Sequence, residues 1–150
     1  MNKKRKIVRE IVSISRCISF IRNIEFKKYD LTRGQHSFLT RIMENPGISQ
    51  EEVSFLLRVD KTTSAKAIKK LETKGYIMRK RSSEDKRQWC LYPTDKFKKI
   101  YPDLVDKINK TAELGTSNFT EDEVETLHNL IAKFRKNVDK EWVDIKNVLK

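Results

Sequence analysis

Apolar residues recur along this chain at two spacings, one helical and one strand-like, and the spacings divide it into elements. Ile7, Ile11, Ile14, Ile18 and Ile21 fall at alternating steps of four and three, with Val8, Val12 and Phe20 widening the stripe. One face of a long helix has that period, and the helix is predicted to end near Lys28. Phe38, Leu39 and Ile42 mark a second helix. Its expected opening is Thr32-Arg-Gly-Gln35, read as a capping box, and Asn45-Pro46-Gly47 stops it. Ser49-Gln-Glu-Glu52 forms another capping box ahead of Val53, Leu56 and Leu57. After Arg58-Val59, Asp60 is a suitable N-cap for a helix that buries Ala65, Ile68 and Leu71 and is capped by Gly75. Two short helices joined by a tight turn predict a helix-turn-helix.

The strand-like segments come next. Tyr76–Arg79 and Trp89–Tyr92 have strand composition, the polar tract Lys80–Gln88 suits the loop between them, and Pro93 ends the second. Thr94 or Asp95 then caps a helix carrying Phe97, Ile100, Tyr101, Leu104, Val105 and Ile108, whose pattern lapses around Gly115. Thr120-Glu-Asp-Glu123 is a third capping box. It opens a last helix with Leu127, Ile131, Phe134, Val138, Trp142, Ile145 and Leu149. The fold expected is mainly α with a small β-hairpin wing, a winged helix-turn-helix of about six helices. The stripes of the first and last helices continue to the ends of a 150-residue chain, where a monomer has little left to cover them. Ile7, Ile11, Ile14, Leu127, Ile131, Phe134, Val138, Trp142 and Ile145 are therefore expected to form a dimer interface.

Charge sharpens this picture. The formal net charge is +12. Ten basic and four acidic residues between Asp60 and Arg87 leave that stretch at +6, and residues 1–10 add +4. Charge focused in this way calls for a polyanionic partner. The helix after Asp60 shows Lys61, Thr62, Thr63 and Ser64 in its first turn, then Lys66, Lys69 and Lys70. Hydroxyls at the start of a recognition helix can reach base edges in the major groove, while lysines further along suit phosphates. Such a lysine run is more often a merely solvated face. The hairpin beside it changes the balance, because its loop adds Lys80, Arg81, Lys86 and Arg87. A wing of this kind can lie along the backbone and put an arginine into a narrow minor groove. Ser49 and Gln50, at the start of the first helix of the pair, are candidates for a cap and a phosphate contact.

Leu71-Glu-Thr-Lys-Gly75-Tyr-Ile-Met-Arg79, followed by Glu84-Asp85-Lys86-Arg87, resembles the recognition-helix exit and wing signature of MarR-type regulators. Leu31-Thr32 with Gln35 is similar to the usual opening of the second helix, and Arg16 stands where the first helix often has an arginine. The helix order matches as well, so the resemblance covers nearly the whole chain. It implies one MarR-like domain over residues 1–150, with the winged helix-turn-helix at 31–93. Residues 1–28 and 95–150 would intertwine in a triangular homodimer on a pseudo-palindromic operator, with repression the commoner outcome. By position, Thr62, Thr63, Ser64 and Lys66 would face bases and Arg87 the minor groove, while Asp85 would hold the wing arginine. A small-molecule effector would fit between dimer helices and winged domain. Where the family has Leu-Thr and then Gly after the second strand, this chain has Pro93-Thr94 and Lys96.

Other residues suggest less. Cys17, beside Arg16 on the first helix, reads either as a small buried residue or, as in some MarR-like regulators, as an oxidant sensor. Cys90 reads as structural. His36 and His128 lack ligand spacing and suit surface or capping roles, and no metal or other cofactor is expected. Without a phosphate loop or nucleophile motif, an enzyme is not expected. No apolar run is long enough to span a membrane and no secretory signal is present, so a cytoplasmic protein is expected. Two other classes compete. A basic RNA-binding or ribosome-associated module lacks its exposed stacking aromatics, and a winged-helix protein-interaction module would not need +6 on helix and wing.

Overall fold

The computed structural model describes residues 2–149. Among them are six α-helices and one antiparallel hairpin. The order is α1 (Lys3–Glu25), α2 (Gln35–Glu44), α3 (Gln50–Leu57), α4 (Lys61–Thr73), β1 (Ile77–Arg81), β2 (Trp89–Pro93), α5 (Asp95–Gly115) and α6 (Glu121–Val148). A 3-10 turn, Lys27–Tyr29, follows α1. The chain forms two compact units, parted between Asn109 and Lys110.

The core of the first unit gathers one apolar face from each short element. Leu39 and Ile42 come from α2, Val53 from α3, Ile68 and Leu71 from α4, Ile77 and Leu91 from the hairpin, and Phe97 and Leu104 from α5. Phe26 and Leu31 close it from the α1–α2 connection. In α4 the buried positions are Ser64, Ile68 and Leu71, an i, i+4, i+7 stripe, and Ala65 is exposed. The sequence pattern predicts Ala65 in this stripe and Ser64 outside it. Ile68 and Leu71 are buried as expected, and only the first position of the stripe differs.

Backbone capping fixes where each element begins. Ser49 and Glu52 make the expected reciprocal box at α3, and Asp60 caps α4. The box expected at Thr32 is absent. Instead α2 starts after Gly34 in the left-handed region, without a side-chain cap, and Arg33 also has positive φ. Those two residues separate Thr32 from the helix start, and Thr32 meets α2 through its backbone carbonyl, which accepts from Gln35 N–H (3.3 Å). Likewise α1 ends at Glu25 rather than near Lys28, because the 3-10 turn takes over.

At the far end of α4 the chain leaves through a Schellman motif. Gly75, at φ +78°, donates its N–H to the Glu72 carbonyl, and Tyr76 donates to Leu71. The strand therefore starts at a fixed angle. β1 pairs with β2 in a register running from Ile77 opposite Pro93 to Arg81 opposite Trp89. Lys80 and Arg81, expected in the loop, thus belong to the strand. β2 is also sewn to the α2–α3 turn. Gly47 N–H donates to the Leu91 carbonyl (2.8 Å), and Leu91 N–H donates to Ile48 (2.9 Å).

Two ionisable side chains pack against this core. Arg22 is buried and donates to Glu25 (2.8 Å) and to the Lys107 carbonyl (3.2 Å), which ties α1 to α5. His36 is not the surface residue expected. It is half-buried against the Phe26 ring, 5.0 Å between centroids. Burial, helped by the nearby Arg22 charge, lowers its pKa to about 4.

In the second unit, Thr120 and Glu123 make the predicted capping box at α6. No described residue of α6 is buried, and Leu127, Ile131, Phe134, Val138 and Ile145 are exposed; Trp142 is partly covered. The α1 stripe is similarly open at Ile7, Val8, Val12, Ile14 and Ile18, while Ile11 and Ile21 are partly covered.

Two predictions concern stability. His36 binds its proton more weakly when folded than at its ordinary 6.5, so acid favours the unfolded chain. Its contribution is complete above about pH 6.5 and is lost as pH falls toward about 4. A His36→Gln variant should therefore lose less melting temperature than wild type between these two values, and equal losses would remove His36 from the acid response. Ser64 is fully buried and its hydroxyl has no hydrogen-bond partner. Ser64→Ala should raise the unfolding free energy by ~1 kcal/mol in urea titration, and a decrease would show that the hydroxyl is satisfied.

Candidate nucleic-acid interface

With Ser64, Ile68 and Leu71 turned inward, α4 presents Lys61, Thr62, Thr63, Ala65, Lys66, Lys69 and Lys70 to solvent. The Asp60 carboxylate anchors its first turn. It accepts from the Thr63 N–H (2.8 Å) and from the Thr63 hydroxyl (2.6 Å), and these bonds hold it below the ordinary carboxylate range. The Thr63 proton is thus already committed, leaving that oxygen as an acceptor toward any ligand. Thr62 is exposed beside it. Ser64 leaves the predicted base-facing set, because full burial puts it out of reach of a ligand. Ala65 takes its place on the outer face, and a small side chain there allows close approach of the helix. Sequence reasoning missed Ala65 because alanine fits either face.

Ser49 is buried, and its hydroxyl accepts from Glu52 N–H at 3.1 Å. The expected cap is therefore present, and burial removes the expected phosphate contact. Gln50 is half-buried at the start of α3, and its side-chain carbonyl oxygen is buried without a hydrogen-bond partner.

The wing loop, residues 82–88, is braced from within. The Ser82 hydroxyl accepts from the N–H groups of Glu84 (3.2 Å) and Asp85 (3.3 Å), and Ser82 N–H donates to the Gln88 carbonyl (3.0 Å). Asp85 accepts from Arg87 twice, from its N–H (3.0 Å) and its Nε (3.4 Å). Both bonds tie the Arg87 backbone and guanidinium to the Asp85 carboxylate. Lys86 is exposed, and the Arg87 side chain is 93% exposed at the tip. Lys80 and Arg81 are exposed on β1. Lys80 lies over the Tyr92 ring (5.2 Å) and Arg81 over Trp89 (4.1 Å).

The start of α5 closes the site from behind. The Thr94 hydroxyl donates to the Gly75 carbonyl (2.6 Å), and Lys96 Nζ donates to the Lys74 carbonyl (2.6 Å) while lying over the Tyr76 ring. An ammonium at a helix C-terminus complements the helix dipole. Pro93-Thr94 and Lys96 are thus accommodated, with Lys96 supporting the exit of α4. On α1, Cys17 is exposed, contrary to its reading as a buried residue, whereas Cys90 is half-buried and opposite Ser49 in an isolated bridge.

Similarity to known proteins follows the same geometry. Residues 31–89, from Leu31 ahead of α2 to the first residue of β2, match the MarR family. The chain is 46% identical over 140 residues to YybA of Bacillus subtilis, described as an uncharacterized HTH-type transcriptional regulator, covering 93% of each chain. A MarR protein from Peptoclostridium difficile superposes with a TM-score of 0.90 at 42% identity, covering 93% of this chain and 91% of that one. A MarR family transcriptional regulator from Listeria monocytogenes, solved in complex with a 26mer DNA, superposes with a TM-score of 0.90 at 36% identity over 93% of each chain. With nearly its full length aligned in sequence and in structure, the chain belongs to the MarR family.

Proposed function

We propose that this protein is a sequence-specific transcriptional regulator that binds duplex DNA as a homodimer on a pseudo-palindromic operator and acts as a repressor. One observation carries the reading. The exposed lysine and threonine face of α4 and the exposed, braced arginine of the wing belong to the same winged unit, fixed by one core. Thr62, the Thr63 oxygen, Ala65 and Lys66 would meet base edges, Lys61, Lys69, Lys70, Lys80, Arg81 and Lys86 the phosphates, and Arg87 the minor groove. Residues 31–93 form the DNA-binding part, and residues 1–28 and 95–150 the dimerisation part. The exposed stripes of α1 and α6 support the second assignment. Control by a small molecule or an oxidant belongs to the same reading, with the exposed Cys17 as the thiol an oxidant would meet. No helix of the described residues is long and apolar enough to cross a membrane, and the cytoplasm is the compartment in which its DNA would be found.

Binding should be measured on the duplex that wild type recovers from a random library, and on duplex RNA, at several salt concentrations. Affinity for DNA should fall with salt at a log–log slope of about −0.9 per neutralised phosphate and exceed that for RNA. Equal affinities would support an RNA-binding module instead. Arg87→Ala should weaken binding about tenfold with an unchanged melting temperature, and unchanged affinity would remove the wing from the interface. Sedimentation at micromolar concentration should give a dimer, and a monomer there would overturn the proposed assembly.

A further inference from the structure

Two guanidinium groups pack on the Trp89 ring. Arg81 Cζ is 4.1 Å and Arg79 Cζ 4.8 Å from its centroid. The register sets Arg81 opposite Trp89 and Arg79 opposite the buried Leu91, so all four project from one face of the hairpin. Each arginine is tied at its far end. Arg79 Nε donates to Glu72 on α4 (2.9 Å), and Arg81 Nη1 donates to the Lys86 carbonyl in the wing loop (2.6 Å). A continuous chain of contacts thus runs from Glu72 through Arg79, the indole and Arg81 to Lys86, one residue before Arg87.

Closing the hairpin does not require this ladder, since the β1–β2 pairing and the Schellman exit already do so. What the ladder adds is direction. A two-stranded ribbon twists and flexes easily about its base. Cation–π contacts to both arginines, with an ion pair to α4 at one end and a carbonyl in the loop at the other, restrict that motion. The two like charges on one indole are tolerable because Glu72 neutralises one and the other faces solvent and a carbonyl dipole.

We infer that Trp89 is a positioning residue of the wing, holding the loop that carries Lys86 and Arg87 in register with the recognition helix. The effect on affinity rests on the proposed DNA-binding function, whereas the effect on loop order does not. Trp89→Leu and Trp89→Phe, each alone and combined with Arg87→Ala, separate the two. Trp89→Leu should speed hydrogen exchange at the Ser82 and Gln88 amides about tenfold relative to the α4 amides. It should also weaken binding to the library-selected duplex about fivefold, which corresponds to ~1 kcal/mol. In the Arg87→Ala background the same change should cost less than about twofold, because one of the two cationic side chains it positions is gone. Trp89→Phe keeps a ring for stacking and should retain both protection and affinity. Additive losses in the double variant would mean that Trp89 touches DNA itself or acts through general stability, and would overturn the inference. Unchanged exchange in Trp89→Leu would overturn it as well. If Arg87→Ala alone changes nothing, the wing reading fails while the exchange measurement still decides the ladder. Should Trp89→Leu not fold, Arg79→Gln breaks the same chain at its α4 end and carries the same expectations.

Discussion

Burial of a single stripe on α4 governs the interface. A helix of 13 residues can turn only one face to a core, and here that face is Ser64, Ile68 and Leu71. Once it is fixed, the helix's rotation is fixed, and so are the directions of Thr62, Ala65, Lys66 and Lys69 opposite. Leu71 does a second job, since its carbonyl accepts from Tyr76 and sets the exit toward β1. The hairpin then inherits its angle from the same residue that anchors the helix. Lys96 and Thr94 reinforce that corner from α5 through the carbonyls of Lys74 and Gly75. Recognition helix and wing are therefore positioned by one corner of the core rather than by two independent contacts.

Reading the sequence recovered what depends on neighbours and missed what depends on phase. The caps at Ser49, Asp60 and Thr120 were legible because a capping box is a contract between residues three apart. Thr32 and Gln35 satisfied the same pattern, but Arg33 and Gly34 both take positive φ and the box does not form. Ser64 was misassigned for a related reason. Its hydroxyl suggested a polar face, and an Ala65, Ile68, Leu71 stripe at steps of three looked as good as the observed one at steps of four and three. One residue of phase decides which side chains reach a ligand. His36 was misplaced because its burial comes from Phe26 and Arg22 on another element, which local spacing cannot reveal. Lys80 and Arg81 have the composition of a loop, whereas the pairing with Cys90 and Trp89 extends the strand through them.

Wing charge and wing order are coupled in an unusual way. A loop tipped by Lys86 and Arg87 would be expected to sample many conformations, because like charges repel and long side chains lose entropy when held. The loop instead folds around its own polar atoms. The Ser82 hydroxyl and Asp85 carboxylate accept four hydrogen bonds between them, and Asp85 offsets the charge of Arg87 locally. Three of these bonds are exposed and each is individually weak, but together they narrow the ensemble before DNA arrives. Less ordering is then left for the binding step, which is the usual route by which preorganisation raises affinity.

The distribution of charge also bears on how two copies could associate. A net charge of +12 per chain opposes self-association if spread evenly. It is not spread evenly. Helix α6 carries seven acidic and five basic residues, whereas α1 carries seven basic and two acidic. The two elements with exposed apolar stripes thus have opposite net signs, and their charges favour pairing. The +6 stretch of helix and wing lies in residues 60–87, outside both helices. On two half-sites ~34–36 Å apart, the two heads would be separated by several Debye lengths of roughly 8 Å at physiological salt. Their mutual repulsion is then largely screened, while each still meets its own phosphates at contact distance. Opposite net signs on α1 and α6, with a separate +6 stretch on the recognition helix and wing, would let a strongly basic chain both pair with itself and hold DNA.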